Sequence, residues 1–268
     1  MKKAVFFDID GTLIDVQKKQ TRMSEPVSQA IAKLKAAGHY TFIATGRPWA
    51  YLDDELTKSN LFDGFVLMNG ALVILSGKVI YHKPLAKDLV NKIINLAEAN
   101  NIEYILEGQP YVYLKNEYKA LEDVYTRIDI SLDNFVRDYD LSKLDISKIE
   151  FLAATPATGS IFKKLLALDE VTGLIDPTIT KYMELYSANI SKGTGVLKAL
   201  AALNIPVSES YAFGDGLNDT EMMETVGHSL VMGNASDKLK QKAEHVLPTI
   251  ADDGVAEGIH RYILKDMR

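Results

Sequence analysis

The sequence predicts an α/β protein: a doubly wound, mostly parallel sheet interrupted by an inserted α+β domain. Three observations carry that expectation. Near the amino terminus, short apolar runs alternate with longer segments whose apolar residues recur at helical spacing, the rhythm of parallel strands joined by right-handed crossovers. In the middle of the chain the order changes to strand pairs joined by short turns, with helices between them. After about residue 187 the strand–helix alternation resumes.

Residues 3–8 (KAVFFD) form the first expected strand. The helix that follows (SEPVSQAIAKLKAAG) has Ser24 placed to cap it, Pro26 in its first turn, and Val27, Ile31 and Leu34 at helical spacing; Gly38 ends it. Residues 39–45 (HYTFIAT) make the second strand, Gly46-Arg47-Pro48 opens a second helix containing Leu52 and Leu56, and residues 64–69 (GFVLMN) make the third strand. A hairpin over 73–82 turns at Ser76-Gly77-Lys78. The next hundred residues read as a helix (86–100), two strands around Gly108 to Pro110, a helix (117–126), a polar stretch, a strand (147–154), a helix (158–168) and two strands (171–175 and 180–186). Then GTGVLKALAALNI is helical through Val196, Leu200 and Leu203, and SYAFGD and HSLVMG are strands. The expected division is a parent α/β domain of residues 1–83 and 188–268, with residues 84–187 as the insertion.

Composition narrows the function classes. The chain has 268 residues, 47% hydrophobic and 25% charged, ordinary for a globular protein with a real core. Its net charge of -6 argues against a generic nucleic-acid surface, which needs a basic excess. With no cysteine there is no thiolate metal site, disulfide or thiol redox centre. No apolar run approaches the ~18 residues of a membrane span, and MKKAVFFDID is too short in its apolar part for a signal peptide. A cytoplasmic protein without membrane or nucleic-acid partners is expected. Asn189-Ile-Ser191 and Asn234-Ala-Ser236 match the glycosylation pattern, which carries no weight without secretion.

In an open α/β sheet, ligands sit outside the carboxyl ends of the strands. Asp8, Asp10, Thr45, Lys192, Asp215, Asn218 and Asp219 all fall at such ends or at helix starts. Asp8 and Asp10 stand two apart behind an apolar strand, and they point the same way if the strand geometry persists. Asp, Gly and Thr are also ordinary turn residues, so DIDGT alone reads equally well as a turn. A calcium loop starting at Asp8 is excluded, because its sixth and twelfth positions are Leu13 and Lys19 rather than Gly and Glu. Two like charges on one face call for a cation or a shared proton, and magnesium suits carboxylates; the Gly11 and Thr12 amides can meet an anion. Asn218 and Asp219 can each be a helix cap, but Asp215 ends a core strand as Asp8 does. Thr45 can be a strand-end residue or can offer its hydroxyl to a phosphoryl oxygen. Lys192 opposes the dipole of the helix it begins, which suggests that it answers another negative charge. Gly193-Thr194-Gly195 lacks the Gly-Lys-Ser/Thr ending of a phosphate loop, the five histidines have no metal-site spacing, and no Gly-x-Ser-x-Gly elbow occurs.

DIDGT, then Thr45-Gly46-Arg47, then Lys192-Gly193, then GDGLND occur in that order along the whole chain, with Asn69-Gly70-Ala71 between. This resembles the haloacid dehalogenase superfamily, in its Cof-like branch of capped phosphatases (class IIB cap). The resemblance implies a Rossmann-like core, an α+β cap that closes the site and selects the substrate, and a magnesium-dependent phosphatase for a small phosphate ester, sugar phosphates first. It implies Asp8 as nucleophile and Asp10 as general acid and base. It further implies Asp8, the Asp10 carbonyl and Asp215 as metal ligands. Thr45, Gly46, Arg47, Lys192 and Asn218 would hold the phosphoryl group, with Asp219 in support. Asn189, where glycine is common in the branch, is a small departure, since Asn also tolerates left-handed geometry. In the cap, Glu107, Tyr182 and Glu184 are polar candidates for substrate contact, outside the site set. The alternatives are a sugar-phosphate phosphomutase, which would return the phosphoryl group to sugar, and a non-catalytic sensor that keeps the pocket.

Overall fold

The computed structural model describes residues 1–264 except 16–17, 19, 129, 156–157 and 177–179. In chain order its elements begin β1 (Ala4–Phe7), α1 (Glu25–Ala36), β2 (Tyr40–Ala44), α2 (Asp54–Lys58), β3 (Gly64–Leu67), β4 (Leu72–Leu75) and β5 (Lys78–His82). There follow α3 (Lys87–Ala99), β6 (Ile102–Glu107), β7 (Val112–Leu114), α4 (Lys119–Arg127), β8 (Phe135–Val136), β9 (Lys148–Ala153), α5 (Ile161–Leu166), β10 (Val171–Ile175) and β11 (Tyr182–Ser187). The chain finishes with α6 (Lys192–Leu203), β12 (Ser210–Gly214), α7 (Thr220–Thr225), β13 (His228–Val231), α8 (Asp237–Lys240), β14 (His245–Val246) and α9 (Gly254–Gly258). Among the described residues no helix is long and apolar enough to cross a membrane.

The chain divides into two compact units: Met1–Gly46, Asp53–His82 and Ser191–Arg268 form one, and Arg47–Leu52 with Lys83–Ile190 the other. The first holds a sheet in the order β14-β13-β12-β1-β2-β3-β4-β5. It is parallel from β14 to β3 and antiparallel over the hairpin that ends it. All four residues of β1 are buried, as a central strand covered on both faces requires. Phe6 stacks on Phe42 at 5.0 Å between ring centroids and Phe7 on Phe213 at 4.9 Å, so β1 grips its two neighbours through opposite faces. Helix α1 starts as its sequence dictates: the Ser24 hydroxyl accepts from the Val27 amide, and Val27, Ala30, Ile31 and Leu34 are buried.

Before the hairpin, two expected elements differ. The helix after Gly46 is a single 3-10 turn (Trp49–Tyr51) followed by five-residue α2, and Leu52 is extended between them. The Asp53 side chain accepts from the Leu56 amide, so the helix begins after it, and only Leu56 of the expected apolar pair lies on it. The third strand stops at Leu67, because Met68 (φ 49°) and Asn69 (φ 53°) turn left-handed. Asn is the ordinary non-glycine resident of that region.

The second unit has a sheet in the order β10-β11-β9-β6-β7-β8, antiparallel except for β7 with β8. Strand β8 lies inside the stretch read as polar. The expected helix over 158–168 is a 3-10 turn (Thr158–Ser160) leading into α5. Alternation sends Tyr104, Leu106, Ile149 and Phe151 into the layer of α3 and α5, and sends Ile105 and Leu152 to Leu121 and Tyr125 of α4 with Ala50 and Tyr51. That second layer has a charged centre. Lys148 lies 2.8 Å from Glu150, 3.2 Å from Glu107 and 3.2 Å from Glu184, and the Tyr125 hydroxyl donates to Glu150. Burial first pushes Glu107 and Glu150 up from the usual carboxylate range; Lys148 opposes this at Glu107, whereas the Glu107 charge adds to it at Glu150.

Candidate active site

The first unit gathers polar side chains at the carboxyl ends of β1, β2 and β12. Strands β1 and β12 are paired in register at Phe7 and Phe213, and the Asp8 amide extends that ladder by donating to the Phe213 carbonyl at 3.0 Å. Asp8 and Asp215 therefore leave adjacent strands together, although they lie far apart in sequence. Carboxylate oxygens of Asp8, Asp215 and Asp219 all fall within 4.8 Å of one another.

The chain beyond Asp8 does not continue as a strand. Gly11 to Ile14 fold back, with the Thr12, Leu13 and Ile14 amides all donating to the Ile9 carbonyl. This separates the first acidic pair: Asp8 is buried and Asp10 exposed. Asp10 nevertheless bears electrostatically on both Asp8 and Asp215. Gly11 sits at φ 88°, and a Cβ there would lie 2.2 Å from Asp215 Oδ2, so the loop closes onto the late aspartate only because glycine has no side chain.

Lys192 is the first residue of α6 and fully buried. Its ammonium donates to Asp8 Oδ1 at 2.6 Å and to Asp219 Oδ1 at 2.7 Å, the negative charges that offset its place at the helix start. The neighbouring glycines have a packing role. A Cβ on Gly195 would lie 2.4 Å from Val66 and 2.9 Å from the Gly70 Cα, and one on Gly193 would lie 2.6 Å from the Glu221 carbonyl. The first turn of α6 thus slots between the Met68–Gly70 turn and α7, with Ser191 and Thr194 forming a reciprocal capping box.

Asp219 is more heavily hydrogen-bonded than Asp215. One oxygen takes Lys192, and the other accepts from the Asp215 amide at 3.0 Å and the Gly216 amide at 2.9 Å. Its part is to hold Lys192 and shape the Asp215 loop. Asp215 is differently placed: Oδ1 accepts from the Thr12 hydroxyl at 3.2 Å and Oδ2 from the Asn234 amide at 3.2 Å, so each oxygen keeps a lone pair. Thr45 is buried, and its carbonyl accepts from the Asn69 amide at 3.2 Å. The Asn218 amide donates to Asn69 Oδ1 at 3.1 Å, and both side chains stand against Gly46. Arg47 packs with the second unit, its guanidinium donating to the Tyr51 carbonyl at 3.4 Å. Thr12, Asn69 and Asn234 were missed as site residues. The sequence singles out Thr12 for its amide and not for its hydroxyl, Asn69 only within the Asn69-Gly70-Ala71 motif, and Asn234 only as a sugar-acceptor pattern.

The electrostatics call for a cation. Burial pushes Asp8 well above the carboxylate range; Lys192 opposes this, while Asp219, Asp10 and Asp215 add to it. Asp215 is pushed up to about 6, by burial and then by Asp219. Among the described residues, Lys192 is the cation bonded to this cluster, through Asp8 and Asp219. Hard oxygen donors with spare lone pairs fit a divalent ion of the magnesium kind; the Asp8, Asp215 and Asp219 cluster offers carboxylate oxygens, with no nitrogen or sulfur ligand in it that would favour a softer metal.

A doubly wound sheet with acidic groups and a buried lysine at its carboxyl edge suits phosphoryl-transfer or hydrolase chemistry. Residues 5–259 match the model of the haloacid dehalogenase-like hydrolases, and the chain belongs to that family. It is 28% identical to the 5-amino-6-(5-phospho-D-ribitylamino)uracil phosphatase YitU of Bacillus subtilis (strain 168), over 96% of each chain. It is 25% identical to phosphatase YwpJ of the same organism, over 95% of this chain and 97% of that one. Among solved structures it is similar to the subclass IIB sugar phosphatase BT4131, with a TM-score of 0.83 and 25% identity over 97% of this chain and 99% of the other. The protein is a phosphatase-type hydrolase of this family.

Proposed function

We propose that the protein hydrolyses a small phosphate monoester carried on a sugar or sugar-alcohol chain, through a phosphoryl group held transiently on Asp8. The observation that carries this reading is the Asp8 carboxylate itself: it is buried, held at Oδ1 by Lys192, and close to the Asp215 carboxylate. An Asp8 oxygen attacks phosphorus, the ester P–O bond breaks, and Asp10 gives its proton to the departing oxygen. Water then attacks the same phosphorus, Asp10 takes the water's proton, and the Asp8 O–P bond breaks to release phosphate. The exposure of Asp10 suits a residue that exchanges protons with substrate and water. Thr45, Gly46, Lys192 and Asn218 hold the phosphoryl oxygens, and Asp219 supports Lys192. Asp8, Asp215 and the Asp10 carbonyl would hold Mg²⁺, which when bound neutralises charge on the transferring group. The inserted unit would select the remainder of the substrate. The sugar-phosphate class is supported by the phosphoribityl substrate in the name of YitU and by the sugar phosphatase BT4131.

The test is free-phosphate release from a panel of phosphorylated sugars, sugar alcohols and nucleotides, with and without Mg²⁺. Metal-dependent phosphate release, strongest on sugar and sugar-alcohol esters, is expected. Isomer interconversion with little free phosphate would overturn hydrolysis in favour of phosphomutase chemistry.

A further inference from the structure

Asn234 follows β13 in the loop Gly233-Asn234-Ala235 and joins three separate stretches of the first unit. Its amide donates to the Gly11 carbonyl at 2.8 Å and to Asp215 Oδ2 at 3.2 Å. Its own oxygen accepts from the Ile250 amide at 3.0 Å. The Ile250 bond fixes which end of the side chain carries the donors, so the NH₂ group must face Gly11 and Asp215. With Thr12 donating to the other oxygen, the Asp215 carboxylate is held from both sides. Such anchoring is what a metal-binding carboxylate needs, since an unanchored one must lose its rotational freedom when it binds.

We propose that Asn234 is a positioning residue for the divalent cation, acting through Asp215 and through the Gly11 turn of the DIDGT loop. This rests on the phosphatase reading only in taking Asp215 as a metal ligand. The donor pair sets the plane of the Asp215 carboxylate and prevents its swing toward the Gly11 backbone. Asn234 itself is exposed and lies in a loop outside the strands of the sheet.

The test is direct binding of Mn²⁺ to the substrate-free full chain, by titration calorimetry or by the loss of the free-ion electron paramagnetic resonance signal. Wild type is compared with Asn234→Ala and Asn234→Ser, and thermal unfolding without metal confirms that each is folded. Affinity about 10–100-fold weaker in the folded variants is expected, the range typical of groups that orient metal ligands. Turnover should be recovered substantially at high metal, so the loss lies in the activation constant more than in kcat. Wild-type Mn²⁺ affinity in a folded variant would overturn the proposal, as would a kcat loss that saturating metal does not relieve. If the alanine variant does not fold, the serine variant decides alone. The phosphatase reading fails separately, by an absence of phosphate release in wild type, because the binding comparison needs no substrate.

Discussion

Lys192 donates to Asp219 Oδ1 at 2.7 Å in a pair almost wholly removed from solvent, while the other Asp219 oxygen accepts the amides of Asp215 and Gly216. One carboxylate thereby holds both the buried cation and the loop bearing the late aspartate. Removing it leaves a buried ammonium with Asp8 as its remaining partner and two amides without acceptors. Asp219→Ala is expected to destabilise the first unit by about 3–5 kcal/mol, the cost of breaking a buried pair from one side, as read by chemical denaturation. A loss below about 1 kcal/mol, within the range of exposed pairs, would contradict this.

The Gly11 turn gives a sterically defined test. Alanine at φ 88° brings its Cβ onto the Asp215 carboxylate and pays backbone strain as well. Gly11→Ala is expected to displace Asp215 and lower turnover by about 10²-fold, as misplacement of roughly 1 Å can. Gly77→Ala is the control, since that glycine also has positive φ but open space around it. Equal turnover losses in the two variants would show that strain alone, and not contact with Asp215, is at work.

Asp215 holds its proton up to about 6 in the folded protein against 3.8 ordinarily, because burial and the Asp219 charge disfavour its ionised form. Between those values the folded state binds more protons than the unfolded chain, so without metal this group's contribution to stability is lost as pH rises from about 4 to about 6. A magnesium ion held by Asp215 would compete with that proton. Mg²⁺ is expected to raise Tm more at about pH 7.5 than at about pH 5, measured by calorimetry. An equal rise at both would contradict the assignment of Asp215 to the metal.

In the second unit, Lys148 is the cation among Glu107, Glu150 and Glu184. Lys148→Met is expected to destabilise that unit by about 3–5 kcal/mol near neutral pH. The loss should shrink in acid, where Glu107 and Glu150, already pushed up by burial, take up protons. Denaturation profiles of the variant at acid and neutral pH check this, and a loss independent of pH would show that packing, not charge, is what the lysine supplies.

Much of the fold was legible because burial on both faces leaves its mark in sequence: AVFF, FIA and YAFG are uninterrupted apolar runs, and Ser24 caps α1 as its spacing expects. Less legible were elements shaped by single side-chain contacts. Asp53 capping Leu56 shortens the helix after Gly46, and left-handed Met68 and Asn69 end β3 early. At the site, charges behind core strands stood out because an unpaired carboxylate has no reason to end an apolar run. Thr12, Asn69 and Asn234 did not, since a neutral donor in a loop looks the same whether it meets water or a buried carboxylate. The three hydrogen bonds to Asp219 and the separation of Asp8 from Asp10 depend on backbone bends that periodicity does not encode.

The central claim is that Asp8 carries the phosphoryl group beside a divalent cation, and Asp8→Asn tests it most directly. The substitution keeps shape and an acceptor for Lys192 while removing the charge and the nucleophile. With saturating Mg²⁺ and the best ester of the panel, the expected result is loss of phosphate release to background in a protein whose unfolding remains cooperative. Undiminished phosphate release by the folded Asp8→Asn protein would contradict the account.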